Sequence, residues 1–406
     1  MFTAITSAKN LAKAYLEIVS KFAENSKELR YHGLDNTKIF DYELNSKELL
    51  ALVKEELINH QPIEPAILLK IPKKNNPAKS REIFIYNIKE RIKAQAIYQV
   101  LLPSFEKTFS DRLFSYRPNK PPYLAAYLFA KRYRRCYQTD QVLIIDLHNY
   151  SSFINKNLLL EKLVSLFPDN KVLDLLKLYI FNKIYDQGII KEIEQGVVQG
   201  VPLIAMFANL YLSDLDFKYD QAVASYLRVG DDLALIDPSL EKLQALVPII
   251  RSELEARGLV VNNDKMFIGS ARGKFSFLGY EFNDGVISLE PGYINRLKLE
   301  WKRLLVYKNN SLHKKHLILK SIMVRPDKNF NEQFKRIVKE KSQVNNSAQV
   351  IALTESFFRI LTEFFYGHYS ARNRRLLSSL IRDYKIVSLY SYYKRFHYER
   401  GKPKKK

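Results

Sequence analysis

Apolar positions along this chain change their spacing several times, and each change predicts a new element. Up to about residue 60 they recur as on one face of a helix. Glu43 to Ile58 is the clearest case, with Asn45 or Ser46 placed to cap it. Ala66-Ile-Leu-Leu-Lys-Ile-Pro72 reads as a strand, Lys73 to Ser80 as a basic turn, and Arg81-Glu-Ile-Phe-Ile-Tyr86 as the returning strand. Helical spacing resumes from Ile88 to about Phe105 and from about Tyr123 to Tyr137. Leu143-Ile-Ile-Asp-Leu147 is short and apolar, as a buried central strand would be. A helix follows near Leu158 to Phe167, then a glycine-punctuated loop from Gly196 to Pro202. The apolar helix Leu203 to Leu212 comes next, and Pro202 suits its first turn. Tyr226 to Ile236 reads as two strands joined by a tight hairpin with Gly230-Asp231-Asp232 at its tip. Glu241 to Gly258 predicts a helix ended by glycine. Leu259 to Asn262 and Phe275 to Phe282 are strand-like, and beyond about residue 290 the pattern is mainly helical.

Three aspartates in this pattern suggest chemistry. Adjacent carboxylates such as Asp231 and Asp232 repel unless a cation neutralises them, and Mg²⁺ prefers carboxylate oxygen. Gly-Asp is also ordinary turn chemistry, so the pair alone fits a solvated turn. Asp146 changes that balance. A carboxylate inside an apolar strand is costly unless it is paired or binds a metal. Asp146 and the hairpin together describe a site for two metal ions that clamp the attacking and leaving oxygens of a phosphoryl transfer. The basic hairpin bearing Lys73, Lys74, Lys79 and Arg81 suits a triphosphate, and equally suits a solvated edge.

Charge refines the picture more than composition does. The 406 residues are 47% hydrophobic, enough for two or three folded units. No run is long and apolar enough to span a membrane, and the N-terminus lacks a signal peptide's charged start and cleavage site. One cysteine, Cys136, excludes an intrachain disulfide and a zinc cluster, so a cytoplasmic location is expected. The net charge is +22, yet residues from 291 onward hold 27 Lys and Arg against 8 Asp and Glu, a net +19. Only +3 remains for the first 290 residues. Such a segregated basic surface is expected to lie along a phosphate backbone, so nucleic acid and not a membrane is the anticipated partner.

The ordered motifs resemble the bacterial, group II intron-like reverse transcriptases over roughly residues 65 to 285. Ile71-Pro-Lys-Lys74 through Arg81 resembles the fingers segment of that family, and Arg91 to Leu101 with Phe105 to Asp111 its following helix and turn. Tyr116-Arg117-Pro118 resembles its Phe-Arg-Pro element, and Ile145-Asp146-Leu147 the first palm motif. Gln199 to Leu203 with Ala208 to Leu212 resembles the loop and helix beneath template and nucleotide. Val229-Gly-Asp-Asp232 stands where the family has Tyr-Ala-Asp-Asp. Asn262-Asn-Asp-Lys265 resembles the segment that brings a lysine near the pyrophosphate, and Phe277-Leu-Gly279-Tyr280 the primer grip.

The resemblance implies an α+β right-hand polymerase: a helical region over 1–60, fingers with part of the palm over 61–140, and a palm with an antiparallel sheet over 141–288. A helical basic thumb would fill 289–398 and a basic tail 399–406. It implies RNA-directed DNA synthesis with two Mg²⁺ (Mn²⁺ as a substitute) on Asp146, Asp231 and Asp232, and Lys265 beside the leaving pyrophosphate. Lys73, Arg81, Ser151 and Gln199 would meet the nucleotide, and Tyr116, Arg117 and Gly279 the nucleic acid. Partners would be dNTPs, an RNA template or dedicated non-coding RNA, the DNA product, and a second copy or accessory protein.

Two departures and the C-terminal region add to this. Val229 precedes the aspartates where the family has tyrosine. After Asp146 the family has two aromatics, the second packing under the sugar. Here Tyr150 fills the first position and Ser151 the second, which leaves space for a 2′-hydroxyl unless Tyr150 or Phe153 is redeployed. Arg372, Arg374 and Arg375 form a basic cluster, and Tyr393, Lys394 and Arg395 lie in a run that interleaves aromatics with cations, suited to stacking bases and contacting phosphates or to docking a final helix. Without a zinc cluster or nuclease motif, the chain looks like the free-standing reverse transcriptases of anti-phage, abortive-infection systems. A template-independent or protein-primed polymerase, an RNA-dependent RNA polymerase and an inactive nucleic-acid-binding module are the alternatives.

Overall fold

The first extended run after the N-terminal helices becomes a hairpin of β1 (Ala66–Lys73) and β2 (Asn76–Ile85). Its register runs from Ile67 opposite Ile85 to Pro72 opposite Ser80. Pro72 has no N–H to give the ladder, and the register slips directly after it. The structure is a computed structural model that describes residues 1–24, 33–37, 45–73, 76–305, 311–325 and 328–401. Lys74, in the basic turn, and the last five residues of the tail lie outside them.

The described chain divides into two compact units, Met1–Ala125 with Asp140–Gly269, and Ala126–Thr139 with Ser270–Lys406. In the first, the helix Ile88–Thr108 buries Ile92, Ile97, Leu101 and Phe105 in the main core. The apolar run at Leu143 becomes β3 (Gln141–Asp146), buried from Val142 onward. The helix Lys156–Leu166 starts where Asn155 accepts the N–H groups of Asn157 and Leu158, satisfying two orphan donors of its first turn. The helix Asn170–Ile180 is capped in the same way by Asp169. Two three-residue strands, β4 (Ile184–Asp186) and β5 (Ile189–Lys191), extend the first hairpin into a sheet of order β2-β1-β4-β5.

The helix Pro202–Tyr211 is apolar on nearly every side because most of its residues are buried. Just before it, Gly200 has φ +126°, and a side chain there would meet the Phe84 carbonyl at 2.8 Å. Glycine therefore lets this loop press against β2. The helix Ser213–Ala222 leads into β6 (Ser225–Val229) and β7 (Asp232–Asp237). With β8 (Phe267–Ser270) these strands form a second sheet of order β6-β7-β3-β8. Leu143, Ile145, Leu233 and Leu235 face the main core, and the alternate residues Val142, Ile144, Ala234 and Ile236 are buried as well. Both faces are covered, which explains why β3 reads as a continuous apolar run rather than an alternating one.

The second unit contains β9 (Phe275–Phe277), β10 (Tyr280–Asn283) and β11 (Val286–Leu289), in the order β11-β10-β9. Phe275, Phe277 and Phe282 pack their rings on Phe129, with centroids 4.9 to 6.1 Å apart. Six helices between Pro291 and Gly401 follow among the described residues, centred on Trp301, Phe330, Phe334 and Phe357. The whole is an α+β protein. Among the described residues no helix is long and apolar enough to cross a membrane.

Candidate active site

The β6–β7 register places Val229 opposite Asp232, so Gly230 and Asp231 form a two-residue turn. Gly230 has φ +65° and Asp231 does not share a positive φ, the pattern of a II′ hairpin with glycine first. On the other side of β7, Asp146 of β3 stands directly opposite Asp232. Directly opposed residues share a face, so these two like charges oppose each other across the ladder. The Leu147 N–H donates to the Asp231 carbonyl at 3.1 Å and ties the turn to the end of β3. Burial pushes the Asp231 carboxyl up, and the Asp146 charge adds to this; Lys265 and Arg81 pull the other way.

Asp146 is nearly buried and holds two donors. Asn262 Nδ2 lies 2.8 Å from Oδ1 and Lys265 Nζ 2.7 Å from Oδ2. The Asn262 N–H also donates to the Asp146 carbonyl at 2.8 Å. The expected strand at Leu259 to Asn262 is reduced to one bridge, Val261 to Leu147, followed by a 3₁₀ turn at Asn263–Lys265. That turn brings Lys265 round to the carboxylate. Burial lowers the Lys265 ammonium, but its hydrogen bond to Asp146 and the charges of Asp146, Asp232 and Asp231 outweigh this and raise it.

These groups suit a hard divalent cation: the donors are carboxylate oxygens, and their mutual repulsion is what a cation would relieve. Among the described residues no three His, Cys, Asp or Glu side chains already converge on one ion position. The Asp146 oxygens are instead bonded to Asn262 and to the Lys265 ammonium, which supplies positive charge at the carboxylate.

Ser151 and Gln199 come together, the Gln199 amide donating to the Ser151 hydroxyl. Tyr150 is turned into the core, where its hydroxyl donates to the Ala208 carbonyl and burial holds its pKa well above the ordinary value. Phe153 is half-buried against the main core, its ring 6.2 Å from that of His148. Arg81 is exposed on β2, opposite Ile71, and Lys73 ends β1. Tyr116 is exposed, with a φ of +55°. Arg117 is turned inward: it forks onto Glu106, with Nη2 at 2.7 Å, and donates to the carbonyls of Ser110 and Leu113. Its geometry is that of a brace for the segment after the long helix.

In the second unit Gly279 lies under Lys341, whose ammonium donates to the Leu278 carbonyl at 2.9 Å and sits 4.4 Å from the Tyr280 ring centroid and 4.9 Å from that of Tyr293. Burial pulls this lysine down from 10.5 to about 8. Between those values the unfolded chain holds the proton and the folded chain does not, so this group makes stability rise with pH across the window; the cost of burying its charge is fully present below it. Lys341→Met is expected to flatten that rise in denaturation curves taken below, within and above the window. Arg372 and Arg375 are exposed, and Arg374 lies 4.4 Å from the Phe358 ring centroid. Tyr393 donates to the Val344 carbonyl and packs on His397, whereas Lys394 and Arg395 face solvent. The last helix therefore docks through Tyr393 and keeps Lys394 and Arg395 exposed.

Sequence reasoning missed Asn262, Arg228, Asp216 and Ser115. Arg228 had a readable signal, a charge inside the apolar run of β6, which must find a partner once buried. Ser115 and Asp216 carried none, because serine and aspartate are ordinary in turns and in first helical turns.

One carboxylate thus ends a central strand and two stand at the adjoining hairpin, the arrangement expected from the motifs of a polymerase-class nucleotidyltransferase. The chain belongs to the reverse transcriptase (RNA-dependent DNA polymerase) family, whose sequence model matches residues 71–282. The family generally uses divalent metal ions. Protein YkfC of Escherichia coli (strain K12) is 25% identical over 276 residues, 57% of this chain and 70% of that protein. Apo telomerase from Candida tropicalis is 16% identical with a TM-score of 0.46, the match covering 80% of this chain and 65% of that one. Telomerase from Candida albicans, solved with a TWJ fragment of telomeric RNA, is 13% identical with a TM-score of 0.45 over 90% and 71% of the two chains. A Candida tropicalis telomerase truncated from its C-terminal domain matches over 56% of each chain, so this protein spans little more than half of that relative.

Proposed function

We propose that this protein extends a primer 3′-hydroxyl on an RNA template with deoxynucleotides, using Asp146, Asp231 and Asp232 to hold two Mg²⁺ ions. The observation that carries the reading is the placement of Asp146 opposite Asp232, next to the Asp231 turn, inside the span that matches the reverse transcriptase family. Mg²⁺ bound there would polarise the α-phosphate and neutralise charge on the attacking and leaving oxygens. Asn262 orients the Asp146 carboxylate through its amide. Lys265, hydrogen-bonded to Asp146, would give a proton to the departing pyrophosphate. Lys73 and Arg81 on the β1–β2 hairpin bind the triphosphate. Tyr116 and Gly279 meet the primer–template, and the exposed cations Arg372, Arg375, Lys394 and Arg395 contact phosphates. Extension of oligo(dT) on poly(rA) with dTTP and Mg²⁺ tests the reading; a product made equally well without the template would overturn it.

The sugar pocket favours a second reading, in which ribonucleotides are also used. Tyr150 is committed to the core and Ser151 to Gln199, so the aromatic expected beneath the sugar is replaced by a small hydroxyl. Ser151→Phe is expected to raise the preference for dTTP over UTP by about tenfold to a hundredfold, the range of a pocket that gains or loses a small group. Competition between the two nucleotides measures it, and equal, strong selectivity in both proteins would refute the open pocket. The resemblance to group II-like, free-standing defence enzymes further supports a role in bacterial antiviral defence with a dedicated structured RNA. Phage plating on cells carrying the wild type or Asp231→Asn tests that role; equal plaque counts would exclude it.

A further inference from the structure

Beneath the hairpin lies a polar cluster that none of these roles uses. Arg228 sits on β6 two residues before Gly230 and has no exposed surface. Its guanidinium forks onto Asp216 of the helix Ser213–Ala222, Nε to Oδ1 at 2.6 Å and Nη2 to Oδ2 at 2.7 Å. Asp216 is equally inaccessible, and its Oδ1 also accepts the Tyr226 hydroxyl at 2.8 Å. Two further guanidinium donors go to main chain, Nη2 to the Asn209 carbonyl at 2.9 Å and Nη1 to the Gly230 carbonyl at 3.1 Å. On the other side of the same glycine, the Gly230 N–H donates to Ser115 Oγ at 2.9 Å. Ser115 is held in turn by Asn209: its hydroxyl donates to Oδ1 at 3.0 Å, and Nδ2 donates to the Ser115 carbonyl at 2.7 Å. The Arg228 backbone is also pinned, its N–H to the Arg112 carbonyl and its carbonyl to the Phe114 N–H, both at 2.9 Å.

Both polar backbone groups of Gly230 are thus fixed by buried partners, and Asp231 is the next residue. We propose that Arg228, Asp216 and Ser115 are positioning residues that set where the Gly230–Asp231 turn presents its carboxylate for nucleotide transfer. Stability alone does not account for the cluster, because a buried ion pair is often no more stabilising than apolar residues of the same volume. It supplies direction: a planar guanidinium with fixed donors locates one carboxylate and two carbonyls at once. The glycine needs such a seat, since its own backbone freedom leaves the turn otherwise loose.

The proposal rests on the reading of Asp146, Asp231 and Asp232 as catalytic carboxylates, and its test separates the two. Steady-state extension of oligo(dT) on poly(rA) by the full chain is measured for wild type, Ser115→Ala, Arg228→Lys and Asp231→Asn. Ser115→Ala frees the Gly230 N–H and leaves the ion pair intact. Its kcat is expected to fall about tenfold to a hundredfold, the cost of a sub-ångström to ångström misplacement, with KM for dTTP and Kd for the primer–template within about twofold. Arg228→Lys, which keeps the charge and loses the fork, is expected to lower kcat further with the same KM. If Arg228→Lys does not fold, Ser115→Ala decides. A wild-type kcat in Ser115→Ala, or a loss matched by the loss of folded protein, overturns the seat while the catalytic reading stands. An inactive wild type, or an Asp231→Asn variant as active as wild type, overturns the reading itself.

Discussion

Asp231→Asn is expected to slow nucleotide incorporation by about a thousandfold or more while primer–template affinity stays within about threefold. On the proposed reading, the substitution removes one charge from the set that would hold the metal, which forfeits several kcal/mol of transition-state stabilisation, and each 1.36 kcal/mol is about a tenfold loss of rate. Affinity is spared because the cations that would grip nucleic acid, Arg372, Arg375, Lys394 and Arg395, lie on other elements and are exposed. Stability moves the other way. Burial and the neighbouring Asp146 charge both disfavour ionised Asp231, so neutralising it removes a cost, and the thermal midpoint without added metal is expected to hold or rise. Asp146→Asn is expected to match it in activity but not in stability, because it weakens the pairing with Lys265. Single-nucleotide extension with matched melting curves measures both effects. More than about a tenth of wild-type activity in Asp231→Asn would remove that carboxylate from the chemistry.

Asp216→Ala is expected to destabilise the protein by about 3–5 kcal/mol, a large fraction of the stability of an ordinary domain. The substitution strands the Arg228 guanidinium, which has no exposed surface and no second carboxylate in its hydrogen-bond set. Denaturant unfolding reads the loss. The paired change Asp216→Leu with Arg228→Met is expected to recover most of it, since apolar residues can fill a desolvated ion pair's place at little cost. The same pair is not expected to recover kcat, because nothing then fixes the Gly230 carbonyl. Stability within about 1 kcal/mol of wild type in Asp216→Ala would mean that the guanidinium finds water or another partner.

Much of the local structure is legible in the sequence, for reasons tied to element length. The helix Ile88–Thr108 offers many turns of consistent spacing, and the expectation from Ile88 falls on its first residue. The hairpin at Gly230-Asp231-Asp232 is legible because a glycine at the first turn position leaves little else possible. Elements with few positions resist such reading. β4 and β5 have three residues each and owe their order to pairing with β1 and with each other. The run Leu259 to Asn262 has the composition of a strand, yet its pairing amounts to one bridge, Val261 to Leu147, before the chain turns to deliver Lys265.

The site divides in the same way. Sequence alone determined that Asp146 would lie in an apolar strand and that Asp231 and Asp232 would sit at a hairpin, because turn chemistry and apolar runs act between near neighbours in the chain; that the strand stops at Asp146 was decided by the fold. It also determined that the excess positive charge would be C-terminal. Only the tertiary structure decided that Asp146 would face Asp232, and that its oxygens would be taken by Asn262 and Lys265, 116 and 119 residues away. It likewise turned Arg117 inward, joined Gln199 to Ser151, and seated the hairpin on Arg228 and Asp216. Those choices depend on which distant groups are left needing a hydrogen bond or a counter-charge once the core has closed. That requirement belongs to the folded molecule, not to any short stretch of its sequence.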